Sequence, residues 1–507
     1  MNFLHVAILW YSVKAMQCKL IFLFLVLSML CGCQGEETAR SDKTEGKQVA
    51  NAPQQKGCVA CHPEVVLTAP HDLACVTCHR GNPEGIQQEN AHAGLIARPA
   101  HPDHMHETCG KCHSDLVLES TGSLHFTLRN EVNQVRVHFG AAAPLASLTE
   151  IPVISEASSP LELADDMLRR RCLRCHLYSA GDDYPLTRRG TGCAACHLAF
   201  AEGKPQNHQL LALPTDQQCL SCHYGNVVGA DYYGRYEHDY NWEYRTPYVT
   251  REPYIRAYGV EYHDLVPDIH QQRGLACIDC HRGHQIMSGG GSRLTCGTCH
   301  HLAQSGDGPL PGNVVRDKDA LVLTSARDGK KHVIPPLTHP AHAQYGQQVT
   351  CQVCHAQWGF NDSTTHLMRS ETDDFLPWER LTVQGRSEVE QLLDHNLNSG
   401  KEELAPMMRD AITGEARPGV WYQGFTQRRW ENLLIRRDSD GVVKVFRPVL
   451  DLRLSAVASD ETVLLDNVAG SGPGLLPYTP HTTGAAGMFY QNRFAGFLEP
   501  PLPAARK

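Results

Sequence analysis

Cys58-Val-Ala-Cys61-His62, Cys75-Val-Thr-Cys78-His79 and Cys109-Gly-Lys-Cys112-His113 open a pattern that runs through the chain. It returns as Cys172-Leu-Arg-Cys175-His176, Cys193-Ala-Ala-Cys196-His197 and Cys219-Leu-Ser-Cys222-His223. Cys277-Ile-Asp-Cys280-His281, Cys296-Gly-Thr-Cys299-His300 and Cys351-Gln-Val-Cys354-His355 complete it. These nine motifs take 18 of the 21 cysteines, leaving Cys18, Cys31 and Cys33. Cys-x-x-Cys-His is the attachment signal for c-type haem: the thiols form thioethers with the porphyrin, and the adjoining histidine ligates the iron. Zinc and disulfide chemistry also use Cys-x-x-Cys, but neither requires a histidine directly after every pair. The reading is nine covalent haems, each with its motif histidine as proximal ligand.

Composition agrees with a cofactor-filled interior. The 507 residues are 42% hydrophobic and 7% aromatic, enough for ordinary domains. Haem is a large apolar body, so haem-dense segments can fold with few large side chains of their own. Such segments are expected not to fold without it. The net charge of −9 argues against a nucleic-acid partner.

The first 33 residues read as a lipoprotein export signal. Lys14 and Lys19 precede the apolar run Leu20–Leu30, which is short for a membrane span. Leu30-Cys31-Gly32-Cys33 resembles a lipobox, with Cys33 the lipidated residue. Met16 would give a more typical signal start than Met1. Gln34 after the lipid site resembles the signal of lipoproteins sorted to the outer membrane. Residues 34–57 are polar and read as a flexible tether.

Motif spacing divides the remainder. Three haems are expected in 58–113, three in 172–223 and three in 277–366, where two are close together and one stands apart. Gaps within clusters leave room for little more than a short helix and a turn, so haems must nearly touch. The segment 114–171 is expected to hold a strand at Asn133–Phe139 and a helix over Pro160–Arg171. The segment 224–276 is tyrosine-rich (Tyr232, Tyr233, Tyr236, Tyr240 and Tyr244 among others), read as aromatic packing over haem faces. Residues 301–350 read as loop. The region 367–507 lacks cysteine and is expected to be haem-free. It should hold a helix capped at Ser387-Glu-Val-Glu390, a hairpin over Leu433–Phe446 and a strand at Val463. The fold class is thus a multihaem cytochrome: short helices and loops around nine haems, then a haem-free α/β region.

A pure electron carrier needs a second axial ligand at each iron. Histidines are plentiful, and those near motifs are the candidates: His71, His92, His104, His106, His208, His270, His284, His301 and His342. His125, His138, His238, His395 and His481 are less favoured by position. Met105, Met287 and Met368 are the methionine alternatives. Bis-histidine iron is coordinatively saturated and of low potential, so it passes electrons without binding substrate.

The chain resembles the large bacterial multihaem c-type cytochromes over roughly 58–366. Cys75-Val-Thr-Cys78-His79-Arg-Gly with Ala91-His92-Ala-Gly-Leu-Ile carries the likeness. So do Asp268-Ile-His270 ahead of Cys277, and Cys351-Gln-Val-Cys354-His355-Ala-Gln-Trp358. The resemblance implies His92 and His270 as distal ligands. It implies an electron relay at the outer membrane or periplasm, or to the cell exterior. Its partners would be other cytochromes and an outer-membrane porin, with a lipid anchor holding it to the membrane. The alternative is a multihaem reductase of nitrite, hydroxylamine or a sulfur oxyanion, with one substrate-accessible haem. A structural filament subunit is a weaker third class.

Overall fold

Arg129–His138 forms an α-helix where alternating valines suggest a strand. Val132, Val135, Arg136 and Phe139 are buried while Val137 is exposed. That is helical spacing, and it overrides the local alternation. In the computed structural model the described residues are 57–226, 228–238, 256–289, 294–300, 309–381, 383–430, 432–449, 451–471 and 474–498. Cys33, the leader 1–33, all of the tether but residue 57, Tyr240, Tyr244 and His301 lie outside them, as does the side chain of His284. The described residues belong to one compact unit, Gln55–Lys507. None of their helices is long and apolar enough to cross a membrane.

The helix α1 (Arg129–His138) packs on α2 (Pro160–Arg170). Ser159 caps α2 at the Glu162 amide, Pro160 opens it, and Glu162 reaches back to the Ser158 amide at 2.8 Å. The expected helix is present, one residue shorter.

Residues 301–350 are more ordered than their sequence suggests. A three-stranded antiparallel sheet is formed by β1 (Val314–Asp317), β2 (Ala320–Thr324) and β3 (Lys331–Ile334), and Pro340–Tyr345 is helical. Leu321 and Leu323 on β2 bury with Leu275, fastening this sheet beside the seventh motif.

A second sheet spans the expected boundary at residue 366. Its strand β4 (Ser363–Ser370) pairs antiparallel with β5 (Val420–Gln427) and parallel with β6 (Leu452–Val457); β6 pairs antiparallel with β7 (Val463–Ala469). Together with α1, α2 and α3 (Ser387–Asn398) it encloses the largest apolar core, including Leu163, Met167, Leu393, Trp421 and Leu454. Leu434–Arg437 and Val443–Pro448 form the expected hairpin. The helix at Ser387 is also present, but its cap differs. Ser387 Oγ accepts from the Asp183 amide at 2.7 Å, and Glu390 accepts from the amides of Gln384 and Gly385 and pairs with Arg256. Tertiary partners take both side chains that the local motif would use.

Buried charge runs through this core. Arg136 meets Asp165 at 2.7 Å, Arg169 meets Asp410 at 2.5 Å, and Asp166 accepts from the Trp421 indole at 2.8 Å. The pairs bind α1 to α2, and α2 to the C-terminal region.

Candidate metal centres

Three motifs lie wholly on a turn of α-helix, whereas in the fourth and seventh the histidine lies beyond the turn on extended backbone. Cys75–His79, Cys296–His300 and Cys351–His355 are α-helical. Positions i, i+3 and i+4 share one face of a turn, so both thiols and the imidazole are presented together.

Seven motif histidines look directly at another histidine. The pairs are His62–His92, His113–His71, His79–His208, His223–His125, His300–His270, His281–His481 and His355–His342. Their ring centroids are 5.9 to 6.3 Å apart. Two imidazoles on opposite sides of one metal ion need about 6 Å, from a metal–nitrogen bond of about 2 Å on each side plus the ring itself. The geometry therefore fits a metal ion that the two rings of each pair would hold. Among the described residues no three His, Cys, Asp or Glu side chains converge on one point. The arrangement offers two protein ligands per ion.

Backbone carbonyls orient the motif rings. Nδ1 donates to Ile96 from His79 (2.9 Å), to Leu211 from His197 (2.8 Å), to Val228 from His223 (2.9 Å) and to Gly484 from His355 (3.0 Å). This fixes the tautomer and leaves Nε2 with its lone pair for a metal. Burial pushes His223 down to about 4 and lowers His125, His208, His281, His300 and His342. Neutral imidazole is the ligating form.

Buried carboxylates hold two of the facing histidines, one by its ring and one by its backbone. Asp268 accepts from His270 Nδ1 at 2.7 Å and from the Thr483 amide at 2.7 Å. Asp231 accepts from the backbone amide of His481 at 2.8 Å. Burial pushes Asp268 up, but the His270 hydrogen bond brings it below the ordinary carboxylate value.

Both thiols of the fourth, sixth, seventh, eighth and ninth motifs line one cavity of 2680 Å³. A single small-molecule site is about 300–1,000 Å³, so this space suits several large ligands. Four facing histidine pairs open into it. Thiols of different motifs also lie side by side: Cys58 with Cys75, Cys109 with Cys193, Cys175 with Cys222, Cys219 with Cys277, and Cys296 with Cys351. Cys78 is electrostatically close to Cys109, Cys196 to Cys219, and Cys280 to Cys299. Thiol neighbours link motifs one with two, three with five, six with seven, and eight with nine. Motif four meets motif six, where Cys175 Sγ and Cys222 Sγ each contact the other's carbonyl.

His71, His92, His208, His270 and His342 all face motif histidines, but only His342 faces the motif it precedes. His270 lies before the seventh motif and faces the eighth; His208 lies before the sixth and faces the second. His104 stands 6.3 Å from His101, and His106 is exposed; neither ring faces a motif histidine. His125 and His481 do, although their positions did not favour them. No signal near His481 marks it, since 200 residues separate it from His281, the motif histidine it faces. His395 bonds the Glu402 carbonyl instead. The tyrosines Tyr233, Tyr258 and Tyr262 surround Arg235, while Tyr232 lies edge-on to His481.

Two motif histidines face no described histidine. His197 has its Nδ1 tethered, and beside it Cys193 touches Met105 Sδ at 4.0 Å. His176 is different: it stacks on Tyr178, its Nε2 donates to the Phe126 carbonyl, and its Nδ1 accepts from the Tyr178 amide. As placed, the His176 ring does not fit a metal ligand.

Comparison with protein-family models, with curated proteins and with solved structures gives no match.

Proposed function

We propose that this chain is a multihaem c-type cytochrome that relays electrons through nine covalently bound haems. The observation that carries the reading is the set of seven histidine pairs at metal-bridging distance. Haem, when bound, supplies a one-electron couple at each iron.

The chain's own residues would do three things. The Cys-x-x-Cys thiols would hold each porphyrin covalently. The paired histidines would saturate the iron and exclude substrate. Contacts between motifs would bring neighbouring groups close enough for electrons to hop. Lipidation at Cys33 would hold the relay at the outer membrane, where redox proteins are the expected partners.

The test is the full-length protein expressed with the c-haem attachment machinery. Mass spectrometry and the pyridine haemochrome assay should give nine haems per chain, and cyclic voltammetry should give reversible current. A protein without covalent haem overturns the proposal.

A further inference from the structure

Arg189 is buried where the fourth, fifth and sixth motifs come together. Its Nη1 donates to the carbonyls of Thr187 and Ser221 at 3.2 and 3.5 Å, and its Nη2 to those of Arg174 and His176 at 2.9 and 3.4 Å. Arg174 and His176 belong to the fourth motif and Ser221 to the sixth, so one guanidinium ties the two. Its charge also reaches the thiols of Cys196 in the fifth motif and Cys222 in the sixth. Its Nε is buried without a hydrogen-bond partner. The acids nearest in sequence, Asp182 and Asp183, pair with Arg174 and Arg188 instead. All the partners of Arg189 among the described residues are neutral carbonyls. A full positive charge is thus held away from water without a counter-charge.

The sixth motif is also a junction. Its thiols neighbour those of the fourth and seventh motifs. On the helix Asp216–Leu220, which carries Cys219, Asp216 accepts from the Cys277 amide of the seventh motif at 2.9 Å. Gln217 on the same helix donates to the Phe200 carbonyl, just past the fifth motif, at 2.8 Å. Asp216 is half-buried and also takes the Tyr233 hydroxyl, so water screens part of its charge. Arg189 is 4% exposed and has no such relief. His223 of this motif faces His125 at 6.3 Å, a separation that fits a metal ion.

We propose that Arg189 makes the centre at the sixth motif the place where an incoming electron comes to rest first. A buried positive charge without a counter-charge favours the reduced, less positive form of a nearby metal centre, and a low dielectric strengthens the effect. The step is reduction of one ferric ion to ferrous, the electron coming from a low-potential one-electron donor outside the chain. A junction of this kind collects electrons from three neighbouring motifs and holds one until an acceptor takes it. Arg189 acts through its field and is no ligand. The inference rests on the haem reading and adds to the relay a preferred resting site.

The test is a reductive titration of the nine-haem protein with dithionite, followed by EPR at each potential. The ferric signal that His125→Ala removes identifies the sixth-motif centre. In Arg189→Gln its midpoint should shift to lower potential, while the centres at the first two motifs, which Arg189 does not touch, should not move. Arg189→Lys keeps the charge and should stay near the unmodified midpoint. A sixth-motif midpoint equal in all three proteins overturns the inference. So does an equal fall in both variants, which would mark a purely structural role. If Arg189→Gln does not fold, the unmodified protein decides: among the seven paired centres this signal should be the first lost on reduction, and its loss together with or after the others overturns the inference. A protein without covalent haem sinks the underlying reading instead.

Discussion

His342 and His355 face one another with ring centroids 6.0 Å apart and planes 17° from parallel. His125 and His223 hold nearly the same separation, 6.3 Å, with planes 80° apart. The d-orbital splitting of a low-spin ferric ion depends on the angle between its two imidazole planes. The His342–His355 centre should give a rhombic EPR signal. The His125–His223 centre should give a highly anisotropic one, which His125→Ala should remove while the rhombic signals stay.

His481 is the most distant partner in sequence, and Asp231 holds its backbone in place. Replacing it with methionine should convert one of the nine centres from bis-histidine to His/Met ligation. That haem's potential should rise, and the other eight should be unchanged. Spectroelectrochemistry reads both. An unshifted titration would mean His481 is no ligand.

Arg169 and Asp410 form a buried pair linking α2 to the C-terminal region. Asp410→Ala leaves the guanidinium buried without its main carboxylate and should destabilise the fold by about 3–5 kcal/mol. Leu454→Ala in the same core should cost about 2–5 kcal/mol. Haem stoichiometry should be unchanged in whatever fraction folds. Chemical denaturation with haem counting checks both.

The same pair sets an acid limit. Burial pushes Asp410 up, but hydrogen bonds from Arg169 and from the Thr413 and Ile412 amides bring it below its ordinary value. A carboxylate with a depressed folded pKa contributes stability above its unfolded pKa of about 4. That contribution declines as pH falls through the depressed value. Asp410→Asn should flatten the loss of stability below about pH 4, measured as denaturation midpoint against pH.

Cys33→Ser should abolish incorporation of labelled palmitate and move the protein from the membrane to the soluble exported fraction. Retention in the membrane fraction would count against a lipid anchor.

The pattern of each motif was legible because it is local. Cys-x-x-Cys-His needs nothing beyond five residues. Helix α2 was legible for the same reason: Ser159, Pro160 and Glu162 mark its start within four positions. The helix at Arg129–His138 was not. Val135 and Val137 alternate like a strand, and only the packing of α1 against α2 chooses which valines are buried. The sheet at Val314–Ile334 was hidden by short strands among polar residues.

The sequence by itself determined how many Cys-x-x-Cys-His motifs there are and where the helix at Pro160 begins. Those are contiguous signals, and bonded geometry enforces them. Tertiary structure alone decided which histidine faces which motif. An opposing ligand must come from the far side of the site, so the chain cannot supply it from the same turn and draws it from as far away as His481. Tertiary structure also set the fourth motif apart. Its Cys-x-x-Cys-His pattern matches the other eight, and the contacts of His176 with Tyr178 and Phe126 make the difference.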